Sequence, residues 1–129
     1  MIQVRDYLLV EPSRFELDRS RGGVLLEFGA HWCGFCRVVQ PAIAAALNRR
    51  PDVLHVKVAD GPGKPLGRSY HVKLWPTLIV LLDGAEVARL VAPTSPEIAA
   101  LLSAVEPPMQ SHSRADRLLK KTIRPGASE

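Results

Sequence analysis

The chain has 129 residues, 47% of them hydrophobic, and a formal net charge of +4. This supplies one compact core and leaves too little length for a second. No run approaches the roughly eighteen uninterrupted apolar residues of a membrane span, and Met1-Ile2-Gln3-Val4-Arg5-Asp6 is not a basic stretch followed by an apolar one, so a soluble, cytoplasmic protein is expected.

In chain order, residues 2–10 are expected to hold a short strand and residues 12–19 a short helix. Val24-Leu25-Leu26-Glu27-Phe28 is too continuously apolar for a half-exposed strand and reads as central, buried on both faces. From Phe35 to Arg50 the apolar positions 38, 39, 42, 43, 46 and 47 make a helical stripe. Pro41 inside it removes one backbone hydrogen bond and is expected to kink the helix rather than end it, because the periodicity resumes beyond. Val53 to Val58 alternates and reads as a second strand. Asp60-Gly61-Pro62-Gly63 is a loop, followed by a short helix near Pro65 to Tyr70. Thr77 to Leu82 is a strong strand, Asp83-Gly84 a tight hairpin turn and Glu86 to Val91 its antiparallel partner. Thr94 or Ser95 caps a last helix, with Pro96 in its first turn, running to about Val105 before Pro107-Pro108. The order β, α, β, α, β, α, β, β, α implies an α/β fold in which a mixed sheet is covered by helices on both faces.

The domain is placed at residues 1–106 and a basic tail at 107–129. The tail carries five Lys and Arg against two acids, leaving the body near neutral at +1. Within it Ala115 to Ile123 has the makings of a short basic helix. Such a tail can attract nucleic acid, anionic lipid or an acidic protein. A solvated extension is the plainer reading, with no membrane or nucleic-acid partner expected and a monomer as the working state.

The two cysteines stand in Trp32-Cys33-Gly34-Phe35-Cys36, directly after the buried strand and directly before the helical stripe. A thiol delivered to a helix's first turn meets unpaired backbone N–H groups and the positive end of the helix dipole, both of which favour the thiolate. A second thiol three residues on lies about one turn away, close enough to attack a mixed disulfide formed by the first. Structural zinc would need four protein ligands; no second cysteine pair exists, His31 is too near Cys33 in sequence to complete the tetrahedron easily, and His55, His71 and His112 show no ligand spacing. A permanent structural bridge gains little from so small a loop. The pattern is that of a reversible dithiol needing no metal and no organic cofactor.

Glu27 lies within the strand read as doubly buried. An unpaired carboxyl group there is costly, so it needs a partner, unless the side chain turns to solvent at a strand end.

The Trp32-Cys33-Gly34-Phe35-Cys36 motif, Pro41 five residues after the second cysteine, and Trp75-Pro76-Thr77 leading into a hairpin turned by Asp83-Gly84 together resemble the thioredoxin family over roughly residues 20 to 105. The resemblance implies a thioredoxin fold and thiol–disulfide oxidoreductase activity through a redox-active Cys33–Cys36 disulfide. It implies that Cys33 attacks a client disulfide, that Cys36 is the buried resolving thiol, and that Glu27 takes the place of a buried acid accepting the resolving thiol's proton. Pro76 resembles the family's cis-proline, which offers backbone to an extended client segment, Trp32 would shield one side of the site, and Trp32, Gly34, Phe35, Trp75 and Pro76 are the implied client-binding positions. The implied partners are client proteins with disulfides, and a reductase or low-molecular-weight thiol as electron donor.

Three positions depart from the family pattern. Phe35 replaces the usual proline and leaves a backbone N–H available to a thiolate, which is expected to raise the reduction potential modestly above the thioredoxin value of about −270 mV. Trp75 stands where a smaller residue is usual; it either narrows the client groove, making an apolar rim with Phe35, or folds into the core. Ala92 follows the last strand where glycine is usual, and is expected to weaken docking to a reductase. The rival reading is a thioredoxin-fold binding or assembly module that recognises one protein without redox turnover.

Overall fold

In the computed structural model, which describes residues 6–105, the continuously apolar segment becomes β1 (Gly23–Gly29), the strand with a neighbour on each side. It pairs in parallel with β2 (Leu54–Ala59) and antiparallel with β3 (Thr77–Leu82), and β3 pairs antiparallel with β4 (Ala85–Val91). The sheet order is β2-β1-β3-β4. Five short helices join these strands: α1 (Arg14–Asp18), α2 (Gly34–Val38), α3 (Gln40–Asn48), α4 (Pro65–Ser69) and α5 (Ser95–Leu101), the last running into a 3-10 turn over Leu102–Ala104.

Because side chains alternate along a strand, β1 feeds two cores. Val24, Leu26 and Phe28 pack with Leu17 of α1 and Leu66 of α4 on one face. Leu25 packs on the other with Ile43 of α3 and Ile98 of α5. Glu27 is in register with Leu25 and therefore faces the α3 side.

The hairpin turn is made as its sequence demands. Asp83 and Gly84 both have positive φ, at 50° and 84°, the geometry of a two-residue turn matched to strand twist. A Cβ on Gly84 would collide with the Asp18 carbonyl, so glycine is required there for space as well as for φ. At α5, Thr94 is the cap: it accepts from the Glu97 N–H while Glu97 accepts from the Thr94 N–H at 2.8 Å, a complete capping box.

Several expectations are corrected. The helix expected from Phe35 to Arg50 is two helices meeting at Val39, which ends α2 and starts α3. Pro41 takes a place in the first turn of α3, where its missing N–H costs nothing. The change of direction leaves Val38 71% exposed, off the apolar stripe to which its spacing assigned it. Residues 6–10, part of the expected first strand, hold no strand; the Leu8 N–H donates to the Lys57 carbonyl at 2.9 Å and so joins them to β2. The final helix is α-helical only to Leu101. The basic tail at 107–129 and its suggested helix lie outside the described residues. Among the described residues no helix is long and apolar enough to cross a membrane.

Candidate active site

β1 ends at Gly29, and a turn closed by the Cys33 N–H on the Ala30 carbonyl at 3.1 Å delivers Cys33 to the N-cap of α2. Its sulfur accepts the Cys36 N–H at 3.1 Å, as a capping oxygen would. The two cysteines are joined as a disulfide, with Cα atoms 5.2 Å apart. Cys33 is partly exposed, while Cys36 is 1% exposed beneath it. In the disulfide form the amide on the sulfur belongs to Cys36, and the Phe35 N–H, expected to bond a thiolate, makes no hydrogen bond among the described residues.

Around the partly exposed sulfur stands an aromatic rim. Trp32 is 74% exposed and meets Trp75 edge to face, ring centroids 5.2 Å apart; Phe35 is exposed beside Gly34. Trp75 is half-buried and donates its indole N–H to Asp60 Oδ2 at 2.8 Å, so it is tied to the surface loop rather than folded into the core. The Trp75–Pro76 peptide is cis. The Pro76 carbonyl accepts the Ala92 N–H at 2.8 Å, and Ala92 holds φ 47°, a left-handed conformation that glycine adopts without strain.

Glu27 is 0% exposed, which removes the solvent-facing alternative. Its Oε2 accepts the Gln40 amide at 2.7 Å and its Oε1 lies 2.8 Å from His55 Nε2. Gln40 also donates to the Cys36 carbonyl at 2.8 Å and accepts from Lys57 Nζ at 3.0 Å. Glu27 is therefore coupled to Cys36 through the Gln40 amide. Sequence reasoning missed Gln40, His55 and Lys57. A signal existed for each: Gln40 is one helical turn after Cys36, and His55 and Lys57 alternate with buried valines along a strand next to Glu27. Among the described residues no cluster of three or more His, Cys, Asp or Glu could hold a metal ion.

The architecture and the dithiol at its strand-to-helix junction are matched by a family model, Thioredoxin, over residues 9–104. The chain belongs to the thioredoxin family. Members of that family are protein-disulfide oxidoreductases. It is 37% identical over 84 residues to the thioredoxin of Chlamydia pneumoniae, covering 64% of this chain and 81% of that protein. It is 35% identical over 89 residues to Thioredoxin-2 of Pyricularia oryzae, covering 69% of this chain and 52% of the relative, about half its length. Among solved structures, thioredoxin 2 from Pseudomonas aeruginosa PAO1 in its reduced form is similar at 50% identity and a TM-score of 0.67, over 76% of this chain and 93% of that one. In this thioredoxin-family chain Trp32, Gly34 and Phe35 are exposed, Cys33 and Trp75 are half-buried, and Cys36 and Pro76 are buried. Glu27 lies beneath them, and Ala92 joins them through the Pro76 carbonyl.

Proposed function

We propose that this protein reduces or exchanges disulfides in client proteins, with Cys33 as nucleophile and Cys36 as resolving thiol. The observation that carries this reading is the asymmetry of the pair: one sulfur partly exposed at a helix N-cap with an amide donor on it, the other buried directly below. The accessible thiolate attacks a client disulfide, and the mixed disulfide is released when Cys36 attacks the Cys33 sulfur, leaving the client thiol and the Cys33–Cys36 disulfide. Glu27 accepts the proton of Cys36 after local rearrangement of its side chain, because the Gln40 amide donates to both Glu27 and the Cys36 carbonyl and so positions the acid without carrying the proton. Trp32, Phe35 and Trp75 supply an apolar groove wall, and Pro76 supplies backbone to an extended client segment. A reductase or a low-molecular-weight thiol in the cytoplasm returns the electrons, and the cycle draws on no cofactor beyond the cysteine pair.

The test is an equilibrium titration of the pair against glutathione and dithiothreitol buffers, counting thiols by alkylation and mass. One reversible two-electron transition between about −270 and −180 mV supports the reading, and a value at or below about −280 mV would contradict the effect assigned to Phe35. Failure to form a reversible disulfide, or full function in the cell with Cys33 and Cys36 both replaced by serine, would favour the binding module instead.

A further inference from the structure

The segment before α1 has one side chain aimed at the reaction centre. Tyr7 is half-buried over Gly29, and the space a Cβ on Gly29 would fill is bounded by the Tyr7 hydroxyl at 2.7 Å and the Cys36 sulfur at 2.8 Å. Both atoms therefore sit against one backbone carbon, and only glycine at position 29 leaves room for them. The ring is held from two sides: Lys57 Nζ lies 4.5 Å from its centroid and the His31 ring meets it edge-on at 4.7 Å. Behind it, the Leu8 N–H on the Lys57 carbonyl fixes the segment to the edge of β2. A cleft of about 380 Å³, walled by Tyr7, Gln40, Lys57 and Cys36, opens here on the side of the resolving thiol.

Resting on the reading of Cys36 as resolving thiol, we infer that the Tyr7 hydroxyl donates a hydrogen bond to the Cys36 thiolate and so promotes release of the mixed disulfide. In that step the Cys36 thiolate attacks the Cys33 sulfur, the Cys33–Cys36 bond forms, the bond from Cys33 to the client sulfur breaks, and the client thiolate leaves with the electron pair. Tyr7 keeps its proton throughout. Burial first, then the neighbouring Glu27, pushes its hydroxyl up to about 12, so it remains a neutral donor across the working range.

The other ionisable groups lining the cleft with Cys36 are Lys57 on β2, His31 before the motif, Arg37 on α2 and Asp6 beside Tyr7, and Glu27 on β1 is joined to it through Gln40. Tyr7→Phe leaves all of them in place and keeps the ring, removing one oxygen. A charge-assisted bond of ordinary strength corresponds to about tenfold in thiolate population, or about one pH unit. The more basic thiolate is also the better nucleophile, so the net loss of rate below its pKa is about threefold.

The experiment forms the thionitrobenzoate mixed disulfide on Cys33 of the full chain and follows release of the second thionitrobenzoate as a function of pH. Expected for Tyr7→Phe is a pH profile moved about one unit to the alkaline side, with release about threefold slower near neutrality. A profile superimposable on the parent's would overturn the proposal, whatever Tyr7→Leu, which also removes the ring, does to stability. The Cys36→Ser variant separates the two readings: if it releases the label as fast as the parent, Cys36 is not the resolving thiol and the fault lies with the wider reading.

Discussion

Glu27 of β1 and His55 of β2 share a 2.8 Å hydrogen bond, with the glutamate side chain wholly buried and the imidazole 5% exposed. The strand register pairs Leu25 with His55 and Glu27 with Lys57, so the imidazole reaches diagonally along the sheet face to the carboxyl group. His55 Nδ1 is buried with no partner, which leaves Glu27 as the imidazole's one anchor among the described residues. The acid beneath the dithiol is thus held by a histidine on one oxygen and a glutamine on the other.

Glu27→Gln tests what that acid does. An amide can keep both bonds, its oxygen accepting from Gln40 and its NH₂ donating to a neutral His55, so stability is expected to change by no more than about 1 kcal/mol. If Glu27 is the proton acceptor proposed above, its loss should slow release of the mixed disulfide about tenfold or more. Unchanged release kinetics and thiol titration, with the fold intact by denaturant unfolding, would reduce Glu27 to a structural part.

Ala92 holds a left-handed backbone, φ 47°, while bonded to the Pro76 carbonyl. For a residue with a Cβ that conformation costs about 1–2 kcal/mol, partly offset because glycine is the more disordered residue in the unfolded chain. Ala92→Gly is therefore expected to stabilise by about 0.5–1 kcal/mol and to speed reduction by a thioredoxin reductase. Urea unfolding midpoints and reductase kinetics check the two halves separately, and a destabilised variant would contradict the strain argument.

Trp75→Ile removes the indole donor to Asp60 and the edge-to-face contact with Trp32. The two together are expected to cost about 1–2 kcal/mol. Rates toward client disulfides flanked by aromatic or aliphatic residues should fall more than rates toward polar-flanked ones. Equal rates across such a peptide set would leave the rim without a role in selection.

Arg50 ties the end of the chain's core together, donating to the carbonyls of Leu102 at 2.8 Å and Val105 at 2.9 Å while pairing with Asp52 at 2.8 Å. The hydrogen bond from Arg50 holds the Asp52 carboxyl below the usual carboxylate range. A lowered folded value means the stabilisation is complete above the unfolded value of about 3.9 and is lost as pH falls through the folded one. The stability gap between the parent and Asp52→Asn should be constant from about pH 5 to 7 and close below about pH 4. Arg50→Ala, which also frees two carbonyls, should cost more at every pH, about 2–3 kcal/mol.

Local chemistry determined much of this protein from the sequence alone. Asp83-Gly84 has to turn a hairpin because both positions need positive φ, Thr94 or Ser95 has to cap α5, and a C-x-x-C between a buried strand and a helix has to present one thiol at the helix N-terminus. Each of these is decided by residues within a few positions of one another. Tertiary structure decided which groups meet Glu27, since His55 and Gln40 come from a parallel neighbour and a helix brought opposite it only by packing. It also decided that the helix breaks at Val39, that Trp75 is tied to Asp60 outside the core, and that Tyr7 and Cys36 both lie against Gly29. The physical reason is distance along the chain: backbone conformation answers to neighbours in sequence, whereas the partner of a buried polar group is set by whichever element the packing brings opposite it.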